Sequence, residues 1–245
     1  MFNIFKKKKP KLLELIPKNF VDIHSHILPG IDDGAKNVNE SKKLISNFQK
    51  LGFSKIIATP HTYSGLYDNT SESISKSFDL LVKNLNSEIS LSFASEYMID
   101  ISLIEKSENK SLLCIKDNYV LIEFGFLSVT SNIFDIIFKL RVNNYIPIIA
   151  HPERYLYKSN DIDFFKKLKN AGCYLQINLF SLTGYYGNEV LKMVKKLMKE
   201  ELVDFVGSDV HNLNQLKVFE NEIMSGEIPI IEKSIERTLF FSLSD

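Results

Sequence analysis

The chain predicts a single α/β domain: a closed or nearly closed βα barrel of seven parallel strands. Three observations predict it. From Phe20 onward, short β-branched or apolar runs alternate with longer stretches of helical period, the pattern of parallel strands joined by crossover helices. No linker-like break interrupts that alternation across a chain of 245 residues, 44% of them hydrophobic, enough to bury one full core. All five histidines (His24, His26, His61, His151 and His211) fall at or just after the carboxyl end of a predicted strand. An open doubly wound sheet is the alternative that the same alternation permits.

Taken in order, the first strand is Phe20 to His24, followed by a loop through Pro29 and Gly30. Asn39 to Leu51 carries Leu44, Ile45, Phe48 and Leu51 at helical spacing, and Gly52 supplies the stop. The second strand, Lys55 to Thr59, ends in Pro60-His61, and Ser71 to Leu85 is the next helix. Ile89 to Tyr97 is the third strand, with Glu96 near its end; Asp100 to Asn118 carries only a weak pattern, a short helix and an irregular connection. Tyr119 to Phe124 reads as a buried strand containing one carboxylate, Glu123, and Ser131 to Arg141 as a strongly apolar helix. Ile146 to Ala150 runs into His151-Pro152-Glu153-Arg154-Tyr155, and Asp161 caps a helix ending near Gly172. Tyr174 to Asn178 is the sixth strand, Asn188 to Glu200 an amphipathic helix, and Val203 to Gly207 the seventh strand, leading into Ser208-Asp209-Val210-His211. The rest suits one or two helices. Residues 1–18 read as a basic tail and 19–245 as the barrel.

Lys plus Arg and Asp plus Glu both number 30, so a nucleic-acid binder held by excess positive charge is not expected. Cys114 and Cys173, far apart and each beside apolar residues, read as buried side chains in a reducing compartment, not as a disulfide or nucleophiles. The start of the chain has no apolar segment of signal-peptide length and the sequence shows no clean membrane span, which predicts a cytoplasmic protein. Phe2, Ile4 and Phe5 beside Lys6 to Lys9 offer a weak contact to an anionic membrane surface, although such a run is more often a solvated start.

The chemistry gathers at the strand ends. His24-x-His26 places two imidazoles on one face of a strand, and the following loop returns Asp32 and Asp33 towards the same end. In a βα barrel the carboxyl ends of the strands share one rim, so His61, Glu96, Glu123, His151, Asp209 and His211 converge there with the first pair. Singly, a histidine after a proline or a carboxylate near a strand end is an ordinary loop residue; the shared position is what points to a metal centre. A carboxylate such as Glu123 in an apolar strand costs several kcal/mol if buried unpaired. Cations answer that cost. Imidazole and carboxylate without thiolate suit manganese, iron, zinc or, less well, magnesium, and so many ligands exceed one ion's needs, implying two or three. Arg154 is the guanidinium placed to hold an anionic substrate, and Asp33, Asp209 or a histidine could manage protons. Together these favour hydrolysis of a phosphate ester by metal-activated water.

The set His24-x-His26-x-Leu28-Pro29-Gly30-x-Asp32-Asp33-Gly34, Thr59-Pro60-His61, Glu96, Glu123, His151-Pro152-Glu153-Arg154-Tyr155 and Ser208-Asp209-x-His211-Asn212 resembles the polymerase and histidinol phosphatase superfamily. More narrowly, it resembles the bacterial manganese-dependent protein-tyrosine phosphatases of capsule and exopolysaccharide synthesis. That resemblance spans about Val21 to Leu213 and implies a distorted seven-stranded barrel with a trinuclear centre. It implies His24, His26, Glu96 and Asp209 on one ion, Glu96 bridging to a second that Glu123 and His151 complete, and Asp33, His61 and His211 on the third. It implies Arg154 on the phosphoryl group and a substrate phosphotyrosine on the tail of a polysaccharide-synthesis tyrosine kinase. Asp32 is read as support for a ligand. Relatives often carry a second arginine after the final histidine; here Lys217 is the candidate substitute. Competing readings are a small-molecule phosphomonoesterase such as histidinol phosphatase, an amidohydrolase-like metal hydrolase, and a non-catalytic regulatory metal-binding barrel.

Overall fold

The computed structural model describes residues 9–242. Nine strands form among them, all paired in parallel, as expected where every connection is a crossover. A three-stranded sheet has the order β1 (Phe20–Asp22), β2 (Phe53–Ala58), β4 (Ser90–Phe93). A six-stranded sheet runs β3 (His61–Thr62), β5 (Glu96–Met98), β6 (Tyr119–Glu123), β7 (Ile146–Ala150), β8 (Tyr174–Asn178), β9 (Phe205–Gly207).

Nine strands form where seven were expected because a short β3 resumes beyond the expected end of the second strand and the third is divided. Pro60 has no N–H to donate and separates β2 from β3; the third breaks at Ala94-Ser95 between β4 and β5. The hydrogen bonds carry across both breaks, from Ala94 N to Ala58 O (2.8 Å) and from Glu96 N to Pro60 O (3.0 Å). The ring closes between the first and last strands. Asp209 N donates to His24 O (2.8 Å), His26 N to Val210 O (2.9 Å), and Ser25 bridges Val210 in parallel. Asp22, fully buried, accepts from the backbone N–H of Ser208 (2.9 Å) and from its hydroxyl, which ties β1 to the end of β9.

Alternation along each strand sorts the side chains. Val21, Ile57, Leu121, Ile148 and Phe205, from strands all round the ring, pack together inside it with Phe241, so the lower barrel is a dry plug. The opposite faces, with Ile56, Val120, Ile122, Ile149, Leu175 and Val206, pack against helices. Those helices are α2 (Val38–Lys50), α3 (Ser71–Asn84), α4 (Ile101–Glu108), α5 (Ile133–Val142), α6 (Ile162–Asn170), α7 (Asn188–Lys199) and α9 (Ile228–Thr238). Their starts follow the capping chemistry of the sequence: the side chains of Asn37, Thr70, Asp100 and Asp161 each accept a backbone N–H of the first turn.

Within the stretch read as a tail, α1 (Leu12–Leu15) lies against the body. Leu12 is fully buried, its N–H reaches Asn221 O (2.9 Å), and Ile223 N donates to Pro10 O (2.9 Å). The packed chain thus includes Pro10 to Ile16, ahead of the boundary expected at residue 19. The proposed membrane contact through Phe2, Ile4, Phe5 and Lys6 to Lys8 lies outside the described residues, while the Lys9 amine reaches Met224 O (3.4 Å). No helix among the described residues is long and apolar enough to cross a membrane.

Candidate metal centre

The same inward face that carries the apolar plug ends, one alternation higher, in charged groups. Leu121 gives way to Glu123 on β6, Ala94 to Glu96 at the start of β5, and β7 hands over to His151. Glycines make room for the His-x-His pair. A Cβ on Gly207 would stand 2.7 Å from His24 Cβ, and one on Gly34 2.1 Å from His26 O.

His24 Nε2 lies 3.2 Å from Glu96 Oε2 and 3.3 Å from Asp209 Oδ1; His26 Nε2 lies 3.4 and 3.3 Å from the same two oxygens. Both imidazole nitrogens therefore face the same two carboxylates. His61 Nδ1 stands 3.1 Å from Glu96 Oε2 and 3.0 Å from Glu123 Oε1, and His151 Nε2 3.0 Å from Glu96 Oε1 and 3.9 Å from Glu123 Oε2. On the outer side, Asp33 Oδ1 lies 3.5 Å from His61 Nε2 and 3.4 Å from His211 Nε2. Every one of the nine residues expected as ligands is in this cluster. Four overlapping groups have ligand atoms close enough to share an ion: His26, Asp33, His61 and His211; His24, His151 and Asp209; His24, His26 and Glu96; and His61, Glu96 and Glu123.

Hydrogen bonding does not satisfy this set from within. Glu96 Oε2 and His61 Nδ1 are buried and close, yet neither has a correctly oriented hydrogen-bond partner. Orphaned donor atoms of oxygen and nitrogen type facing one another are what a divalent cation would occupy. Without a cation the charges lean on each other: burial and His26 push His61 down, but Glu96 and Glu123 overcome both and carry it up to about 10. Burial opposes ionisation of Glu96 and Asp209 as well, but the surrounding histidines hold both well below the usual carboxylate range.

A layer of hydrogen bonds aims the ligands. His24 Nδ1 faces Gln176 Oε1 (2.8 Å), and His26 Nδ1 faces Asp32 Oδ2 (2.8 Å). Asp32 also accepts from Gly34 N (2.9 Å) and His61 N (3.2 Å), so it ties the His26 and His61 segments together. Asn178 Nδ2 donates to Asp209 Oδ2 (2.7 Å), and buried Glu153 accepts from Asn178 N (2.8 Å) and Ser181 Oγ (2.6 Å). His151 (φ 33°) and Asp209 (φ 55°) both adopt the left-handed region, uncommon for residues with a side chain and found where a site holds it in place.

Arg154 stands at the lip. Its Nη1 donates to Asp209 Oδ2 (3.0 Å), and its guanidinium lies between the rings of Phe126 and Tyr186, 4.7 and 4.9 Å from their centres. Its side chain keeps 28% exposure and lines, with Asp33, His61, Glu123, His151 and His211, a cavity of about 340 Å³. Lys217 does not join it. Asn212 caps the short α8 (Leu213–Leu216), and beyond that turn the Lys217 amine bonds Asn214 Oδ1 (3.1 Å), facing a separate cavity with Asn47 and Lys50. Asn212 and Gln215 line the site instead. Both cysteines are remote from this centre, and burial pushes their thiols up, to about 11 for Cys114 and about 12 for Cys173, as inert side chains should be.

Gln176, Asn178, Phe126 and Tyr186 were not singled out in the sequence. Gln176 and Asn178 carried a signal, being amides on the inward face of an apolar strand; Phe126 and Tyr186 carried none, being loop aromatics.

Comparison with known proteins shows which family the chain belongs to. The family model for capsular polysaccharide synthesis, CpsB/CapC, matches residues 20–222. The putative tyrosine-protein phosphatase CapC of Staphylococcus aureus is 36% identical over 199 residues, 79% of this chain and 77% of that protein. Tyrosine-protein phosphatase YwqE of Bacillus subtilis (strain 168) is 31% identical over 229 residues, 92% of this chain and 89% of that protein. Among solved structures, one from the study of YwqE from Bacillus subtilis and CpsB from Streptococcus pneumoniae, described as unique metal-dependent tyrosine phosphatases, superposes with a TM-score of 0.77 at 30% identity over 91% of each chain. A histidinol phosphate phosphatase from Lactococcus lactis shares the fold, with a TM-score of 0.56 at 14% identity over 91% of this chain and 94% of its own. The resemblance read from the strand-end motifs is thereby borne out, and the chain belongs to the CpsB/CapC capsular polysaccharide synthesis family.

Proposed function

We propose that this chain is a manganese-dependent phosphotyrosine-protein phosphatase, acting in the cytoplasm on the tail of a polysaccharide-synthesis tyrosine kinase. The observation that carries it is the ring of nine histidine and carboxylate side chains, six of them buried, that meets one cavity beside Arg154. His24, His26, Glu96 and Asp209 would hold one ion, Glu96, Glu123 and His151 a second, and Asp33, His61 and His211 a third. When bound, these ions supply Lewis acidity, which acidifies water and offsets phosphoryl charge. Manganese, iron and zinc all suit the mixed imidazole and carboxylate set, magnesium less well, and the choice of manganese among them rests on the family resemblance.

The protein's own groups do the rest. Arg154, fixed by Asp209 and flanked by two rings, offers its remaining guanidinium N–H groups to phosphoryl oxygens. Asp209, held ionised, serves as ligand and as anchor for Arg154, which leaves it no proton to donate. A tyrosine leaving group needs little acid help, because a phenol with a pKa of about 10 departs far more readily than an alkyl alcohol.

A metal-supplemented screen tests this reading. Protein purified without chelator should contain more than one transition ion per chain, and manganese should restore hydrolysis of a phosphotyrosine peptide after stripping. Faster turnover of histidinol phosphate than of the peptide, or full activity without metal, would overturn it.

A further inference from the structure

A second hollow, of about 240 Å³, opens from the metal cavity across a shared wall of Asp33, His61, Glu123 and Phe126. Its other lining is of a different character: Tyr63, Leu66, Tyr67, Met98 and Gly125, with no Lys or Arg among them. Leu66 is 62% exposed and Phe126 48%, whereas Met98 at the end of β5 is buried beneath them. The aromatic sides are aligned with the ligands. Tyr67 stacks on His61 (5.5 Å, 12°) and Phe126 on His151 (5.7 Å, 18°), so each wall ring lies nearly parallel to the imidazole beside it.

This hollow is built before any substrate arrives. Tyr63 N donates to Tyr67 O (2.9 Å) and Tyr67 N to Tyr63 O (2.8 Å), closing a tight loop in which Gly65 takes φ +80°. Asp68 accepts from Gly65 N (2.8 Å), Asp100 from Ser64 N (3.3 Å), and the Asn69 amide ties the loop base to Ile31 O and His61 O (both 2.8 Å). An apolar slot with polar chemistry at one end is the usual form of a site that orients a flat ligand.

Resting on the phosphatase reading above, we propose that the slot between the 63–67 loop and Phe126 receives the aryl ring of the substrate, and so selects phosphotyrosine over phosphorylated alkyl alcohols. Because Asp33, His61, Glu123 and Phe126 line both hollows, a phosphoryl group between Arg154 and the cluster that turns its ester oxygen to that shared wall sends its leaving group into the slot. From there a phenyl ring reaches Leu66 and Met98, whereas a serine or small alkyl chain stops short. The slot also excludes water from one face of the leaving group.

The test compares kcat/KM for phenyl phosphate and ethyl phosphate in the manganese-loaded protein, for wild type, Leu66→Ala and Tyr63→Ala. Leu66 is largely exposed, so its replacement leaves the core intact; thermal melting and metal content check both variants. The expected result is a fall of about tenfold in the aryl-to-alkyl ratio, mostly through KM for the aryl ester, the scale on which apolar contacts discriminate between substrates. A wild type that prefers phenyl phosphate, with a ratio that neither substitution moves, overturns the slot and leaves the phosphatase reading standing. A wild type that turns over ethyl phosphate as well as phenyl phosphate overturns the reading itself, and the slot with it.

Discussion

The plug and the rim of this barrel are made by the same strands, on the same face, two residues apart. Leu121 and Glu123 on β6 differ by one alternation, yet the first sits among Val21, Ile57, Ile148 and Phe205 and the second among histidines. The plug is almost wholly apolar: its buried side chains meet one another, and only the Ser92 hydroxyl, on the residue paired with Ile57, is buried there without a hydrogen bond among the described residues. The rim is not, since Glu96 Oε2 and His61 Nδ1 are buried without hydrogen bonds. The barrel therefore separates two tasks along its axis. Stability is generated below, and the unsatisfied groups above are tolerated because a rigid ring holds them in place until cations bind.

Breaking each region in turn should give different signatures. The largest effect on chemistry is expected from Glu96→Gln, since Glu96 faces His24, His26, His61 and His151 at once. Turnover of a phosphotyrosine peptide should fall by at least about a thousandfold, with metal lost on elemental analysis, as when a central electrostatic stabiliser is removed. Retained metal and retained rate would mean that Glu96 is not shared between ions. The converse break is Leu121→Ala in the plug. It should lower unfolding free energy by about 3 kcal/mol, read from denaturant melts, because the surrounding ring cannot collapse onto the cavity. Specific activity of the folded fraction should hold, and a parallel loss of metal would show that plug and rim are less separable than their packing implies.

Between those extremes lies the layer that aims the ligands. Asp32→Asn keeps the shape of the side chain but removes the charge facing His26 Nδ1 and the tautomer it selects. Metal affinity should weaken by about 10- to 100-fold in competition with a chelator, with little change in melting temperature of the metal-free protein. An unaltered affinity would assign Asp32 to loop geometry alone, through Gly34 N and His61 N.

How much of this could be read in the sequence follows the same axis. The meeting of side chains such as His24, His151 and Asp209 was legible because each closes an apolar run, and strand ends in a βα ring share one rim whatever the exact register. The break at Pro60 was visible as a proline but was read as a strand end, when hydrogen bonds in fact resume at His61. The position of α1 was not legible, since four residues have no period and the hydrogen bond that docks it, Leu12 N to Asn221 O, spans 209 residues. The flanking of Arg154 by Phe126 and Tyr186 was likewise hidden, because it depends on how two loops lean together.

Lys217 marks the outer limit of that legibility and carries the smallest expected effect. It lies six residues after His211, close enough in sequence to stand in for a second phosphate clamp. But α8 intervenes as a capped turn, with Asn212 accepting from Asn214 N and Gln215 N, and rotates the chain so that Lys217 faces away. The inward places are taken by Asn212 and Gln215, neutral amides whose hydrogen bonds are largely committed to that turn. Lys217→Ala should therefore change kcat/KM for a phosphotyrosine peptide by less than about twofold, the scale of an exposed side chain remote from any buried contact. A tenfold rise in KM at constant metal content would show instead that the lysine swings in to meet the phosphate, and that the rim extends one helix further than the resting ligand cluster.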